Sequence, residues 1–156
     1  MKRTVQLLVV GLGFAAALFA APRQVRATLG ESADSVESDR ATLSAVRGAA
    51  TARTGYTVHT VTSDAADVRE YVSSAGVVFG IAWNGLTSPD LAPLLGSYAD
   101  EYRQALQQTQ RTPGRRHLQV KAKRVVVEQW GHMRNMQGRA YVPALIPPGV
   151  TIDEIK

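Results

Sequence analysis

The chain has 156 residues, no cysteine, and 18 basic against 13 acidic side chains, for a formal charge of +5. The length sets an expectation of one domain, and the missing thiol excludes disulfides, thiolate metal sites and thiol catalysis. The charge is a poor argument for nucleic-acid binding: Lys2, Arg3, Arg23 and Arg26 precede residue 28 and every acidic residue follows it, which leaves 14 basic against 13 acidic, or +1, beyond residue 27.

Lys2 and Arg3 open the chain, an uncharged run from Thr4 to Ala21 follows, and a short polar segment ends in Val25-Arg26-Ala27. That order of charged, apolar and small-residue regions predicts a signal peptide over residues 1–27. Cleavage is expected after Ala27, since a cut after Ala21 would leave Pro22 in the blocking position. The rival is an uncleaved anchor, for which 18 uncharged residues are just long enough. The Gly and Ala in the run, and Pro22 and two arginines directly after it, count against that. A periplasmic or secreted product is expected, touching the membrane only through this segment if it stays uncleaved.

Residues 28–54 are small and polar, so a flexible arm is expected there, with one short helix over "SVESDRATLSAVRGA". A single domain should occupy residues 55–156. Its first strands are "YTVHTVTS" (Tyr56 to Ser63), "DVREYV" (Asp67 to Val72) and "VVFGIAW" (Val77 to Trp83), rich in β-branched and aromatic residues. Gly76 is expected in the left-handed position of the turn between the last two. This register sets Tyr71 opposite Phe79 and places Tyr71, Val77, Phe79, Ile81 and Trp83 on one face.

A partner for that face follows at once. Leu91, Leu94, Leu95, Tyr98, Tyr102 and Leu106 recur at three- and four-residue intervals, which predicts an amphipathic helix from Ser88 to about Gln108, capped by Ser88 and weakened at Pro93 and Gly96. Next, Arg111, Arg115, Arg116, Lys121, Lys123 and Arg124 form a basic stretch without an acidic residue. "VVVEQW", Val125 to Trp130, reads as a strand, and "GHMRNMQGRAYV" as a second hairpin turning at Asn135 to Gly138. Thr151 to Glu154 has the spacing of a capping box.

"REYVSSAGVVFGIAWNG", "PDLAPLLGSYADEY", "GHMRNMQGRAYVPA" and "PPGVTIDEI", behind a leader that ends "ATLG", resemble a family of exported proteobacterial proteins catalogued as domain of unknown function 2844. The resemblance covers nearly all of the chain beyond the leader. It implies a Gram-negative envelope setting and carries no activity and no site residues with it.

Chemical motifs are sparse. His59, His117 and His132 form no i, i+4 pair and no HExxH motif, so neither a metal nor any other cofactor is expected. No Gly-x-Ser-x-Gly elbow surrounds a serine. Two surfaces remain as candidates. In the second hairpin, His132, Arg134, Arg139 and Tyr141 would form a cationic, partly apolar patch suited to a carboxylate, phosphate or sugar acid. The basic stretch of Arg111, Arg115, Arg116, Lys121, Lys123 and Arg124 is a candidate surface for an anionic envelope component or an acidic protein. Each also has a plain reading, as an edge hairpin kept soluble by charge and as an exposed loop.

The expected architecture is α+β, an antiparallel sheet of about five strands in two hairpins with one main amphipathic helix packed on one face. The expected function is that of an exported, noncatalytic binding or accessory protein of the cell envelope. The alternative is a small envelope hydrolase using His132 with an acidic partner, Glu128 or Glu70.

Overall fold

The computed structural model describes residues 29–32, 46–110 and 116–156. Among them one antiparallel sheet has seven strands: β1 Val46–Arg53, β2 Tyr56–Thr62, β3 Ala66–Ser73, β4 Val78–Gly85, β5 His117–Lys121, β6 Val126–His132 and β7 Asn135–Tyr141. The spatial order is β1-β2-β3-β4-β7-β6-β5. Short connections place sequence neighbours side by side, and the β4–β7 pair joins distant segments.

The α+β class holds, and the expected five strands become seven. One of the additional strands has no apolar alternation, and the other is short and set among charges. β1, "VRGAATAR", joins through main-chain pairing with β2 at the sheet edge, after which Gly55 turns the chain at φ 86°. It occupies part of the segment read as a polar arm. β5, "HLQVK", lies inside the basic stretch, yet Leu118 and Val120 pack on the core while their neighbours face outward. The short helix expected over 35–49 lies partly outside the described residues, and its last four positions belong to β1.

The helix begins later than Ser88. Asp90 is its N-cap and accepts from the Ala92 N–H at 3.0 Å, and α1 runs Leu91–Leu95. The shift follows from Pro93. With Leu91 first, the proline sits in the first turn, where its missing N–H would have no partner anyway; a start at Pro89 would demand that donor. Gly96, at φ 48°, ends α1, one 3-10 turn spans Gly96–Tyr98, and α2 continues as Ala99–Gln108, so the break expected at Pro93 and Gly96 is present.

Leu94, Leu95 and Tyr102 pack on Val68, Val72, Ile81 and Trp83 of the sheet, as the stripe predicted. Leu29 completes this layer. It is fully buried, its N–H donates to the Leu94 carbonyl at 3.1 Å, and that of Gly30 donates to the Val78 carbonyl at 2.8 Å.

The β3–β4 register departs from expectation. Gly76 is left-handed at φ 76°, as predicted, but a bulge intervenes: Tyr71 pairs with Gly80 and Val72 with Val78, leaving Phe79 as the extra residue. Ile81 and Trp83 therefore face the helix, whereas Tyr71 and Phe79 face the other way, into a second core with Tyr56, Ala82 and Tyr141. The single large face of the prediction is thus divided between two. What covers the second is the C-terminal tail, residues 143–156, which lays Ile155 over Gly80 so closely that a Cβ there would sit 2.9 Å from Ile155 Cδ1. The tail ends in the predicted capping box of Thr151 and Glu154.

Candidate functional site

The tail-side face of the sheet carries a polar row that crosses six of its strands. Cross-strand pairing aligns Thr60 on β2, Arg69 on β3, Ala82 on β4, Arg139 on β7, Glu128 on β6 and Gln119 on β5 in one row. Directly opposed residues on neighbouring strands point to the same face, so the row is continuous. At its centre the Arg139 Nε donates to Glu128 Oε2 at 2.5 Å, and Gln119 Nε2 donates to the other carboxylate oxygen. Arg139 also reaches the tail, its Nη1 donating to the carbonyls of Ile152 at 2.8 Å and Ile155 at 3.4 Å. This arginine fastens the tail to the sheet.

Burial pushes the Glu128 carboxyl up, but the hydrogen bonds from Arg139 and Gln119 outweigh it and hold the group below the usual carboxylate range. A carboxyl depressed in the folded state contributes stability that is present above its unfolded value, roughly pH 4.3, and is lost as pH falls through the folded value. Glu128→Gln should therefore flatten the acid side of the stability profile below about pH 4.5, read as urea midpoints from pH 6 down to pH 2. An unchanged acid limb would mean that the ion pair is not formed.

The predicted hairpin patch is divided. His132 pairs with Asn135, so the chain turns at Met133 and Arg134, with Arg134 left-handed at φ 67°; the turn expected at Asn135 to Gly138 is corrected, as those residues lie within β7. The turn tightens because Arg134 takes a conformation that a sequence reader assigns first to Gly131 or Gly138. His132 and Arg134 are exposed at the tip, Arg139 lies inward in the polar row, and Tyr141 is buried in the second core. His132 Nδ1 is 3.2 Å from the Met133 carbonyl. Glu128, four residues back on β6, is roughly 13 Å away along the strand. Glu70 is three strands distant on the helix side, fully buried opposite His59. Neither pairing of the hydrolase reading is formed.

In the basic stretch, Arg111 and Arg115 lie outside the described residues. Arg116, Lys121 and Lys123 are exposed. Arg124 is structural: its Nε donates to Glu101 Oε2 at 2.9 Å and its guanidinium lies 4.8 Å from the Tyr98 ring centroid, tying the β5–β6 turn to the helical segment. Among the described residues no group of three His, Asp or Glu is placed to hold a metal ion, and no helix is long and apolar enough to cross a membrane.

Residues that sequence reasoning missed lie at the other end of the polar row. A cleft of about 500 Å³ opens beside the tail over β1–β3, lined by Arg53, Tyr56, Arg69, Tyr71, Glu154 and Lys156 among others. Its two tyrosines are fixed by the tail. The Tyr56 hydroxyl donates to Glu154 Oε2 at 2.9 Å; the Tyr71 hydroxyl donates to the Lys156 carbonyl at 2.7 Å and accepts from the Lys156 N–H at 3.0 Å. Burial, then the bond to Glu154, pushes the Tyr56 phenol up. The only advance signal was Arg69 itself, a cation inside a strand otherwise rich in core residues.

A seven-stranded antiparallel sheet with the helical segment on one face and a tail strapped across the other defines an α+β protein whose polar chemistry sits beside that strap. A family model matches residues 25–155, and the chain belongs to that family, described as Protein of unknown function (DUF2844). No curated protein and no solved structure matches it.

Proposed function

We propose that the chain is a noncatalytic binding or accessory protein of the cell envelope, delivered by its leader, released by cleavage after Ala27, and directed to an anionic envelope component. One observation carries the noncatalytic part. Glu128, the carboxylate that shares a strand with the hairpin histidine, is buried and held ionised by Arg139 and Gln119, and general acid–base work needs a carboxyl free to exchange its proton within hydrogen-bond reach. The leader pattern supports the location, and the exposed cations Arg116, Lys121 and Lys123 support an acidic partner.

Expression in a Gram-negative host should yield, in the periplasmic or culture fraction, a product whose intact mass begins at Thr28. Retention of the leader in the cytoplasm would overturn the envelope reading. A hydrolytic turnover of envelope material lost in a folded His132→Ala variant would overturn the noncatalytic one.

A further inference from the structure

We propose that the cleft over β1–β3 binds a small hydroxylated oxyanion, a sugar acid or sugar phosphate, with Arg69 as the residue that grips the oxyanion. The inference rests on the binding-protein reading above and gives it a site and a ligand class.

The contrast between the two arginines of the polar row carries the argument. Arg139 and Arg69 flank Ala82 on opposite sides, roughly 9.5 Å apart. Arg139 has a carboxylate and two carbonyls as acceptors. Arg69 stands between the methyl group of Ala82 and the hydroxyl of Thr60, and its Nε, shielded from solvent, donates to no acceptor among the described residues. A buried donor left unmet is costly, and a guanidinium edge is shaped for the two oxygens of a carboxylate or phosphate. The acceptor that Glu128 supplies to one arginine is missing at the other, at a place where the surface opens.

The surroundings fit an anion with hydroxyl groups. Arg53, Arg69 and Lys156 line the cleft beside one side-chain carboxylate, Glu154, which is already engaged by Tyr56 and by the Thr151 N–H. The hydroxyls of Thr51 and Thr60 are placed to bond to a sugar frame, and Val58 is the one aliphatic side chain of the lining. A cleft of about 500 Å³ lies within the usual span of small-molecule sites, roughly 300–1,000 Å³. The tail holds the walls in place before a ligand arrives, through the tyrosine bonds described above.

The test is calorimetric titration of the purified protein with glucuronate, glucose 1-phosphate, glucose and inorganic phosphate. Saturable binding of glucuronate or of glucose 1-phosphate, at least tenfold tighter than of glucose or of inorganic phosphate, is expected. The charged sugar that binds identifies the oxyanion as carboxylate or phosphate. Arg69→Gln should weaken that binding tenfold or more; Arg69→Lys should not restore it, because an ammonium lacks the fork. Arg103→Gln, on the outer side of α2, should leave it unchanged. Should Arg69→Gln fail to fold, Arg53→Gln at the exposed edge should still weaken binding several-fold. Absence of saturable binding, equal affinity for inorganic phosphate, or undiminished binding by folded Arg69→Gln would overturn the proposal. Those failures leave the envelope reading standing, while a cytoplasmic product overturns that reading and leaves a cleft that binds.

Discussion

Trp83→Ala is expected to lower stability by about 3–5 kcal/mol, as aromatic truncations in packed cores do. The indole is 1% exposed and lies under α1 and α2, across the neighbouring strand at Gly138. Truncation removes the largest fully buried side chain and leaves a void that Val68, Leu94 and Tyr102, held by their own strand and helix, can only partly fill. Urea unfolding should show a lower midpoint with little change in slope. Trp83→Phe separates the causes. The indole Nε1 is buried without a hydrogen-bond partner among the described residues, so phenylalanine keeps most of the apolar contact and removes an unmet donor, and its cost should be well below that of alanine. Phe79→Ala should cost a similar 3–5 kcal/mol through the other core, where its ring meets Tyr56 edge-on at 5.9 Å. Equal, near-zero losses at both positions would refute the two-core description.

Gly138→Ala should be a strongly damaging single-carbon addition, at about 3 kcal/mol, the upper end for overpacking a core. A Cβ at this position would lie 2.2 Å from Trp83 Cζ2 and 2.6 Å from the Glu128 carbonyl oxygen. Neither neighbour can yield easily, one being a fused ring locked under the helical segment and the other the backbone of β6. The double variant with Trp83→Phe makes the claim specific. Removing the second ring relieves the closer clash, so the pair should cost less than the sum of the two single losses. Strict additivity in urea unfolding would mean that ring and glycine do not touch.

What the sequence made legible divides along a physical line. Elements specified by local periodicity were readable: the leucine and tyrosine stripe, its break at Gly96, the strands at Tyr56, Asp67 and Val77, the left-handed Gly76 and the terminal capping box. Those specified by distant pairing were not. β1 has no apolar alternation of its own and exists because β2 offers a free edge. The bulge at Phe79 turns one predicted face into two, and nothing near Phe79 announces it; the tail packing that uses it comes from Ile155. The site suffered the same fate. His132, Arg134, Arg139 and Tyr141 cluster in a linear reading, but a turn three residues earlier than expected strings them out from hairpin tip to core. Arg69 was passed over because its meaning depends on Arg139 and Ala82, which only the assembled sheet brings into its row.

The tyrosine bonds to the tail bear on the timing of synthesis. Tyr71 emerges from the ribosome 85 residues ahead of Lys156, the residue it both donates to and accepts from, and Tyr56 waits 98 residues for Glu154. At roughly 5–20 residues per second, that interval is of the order of ten seconds, during which one side of the nascent ribbon stays wet and β4 lacks its later neighbour. Vectorial folding can close the helix-side layer early, but sealing the opposite side waits for residues 154–156.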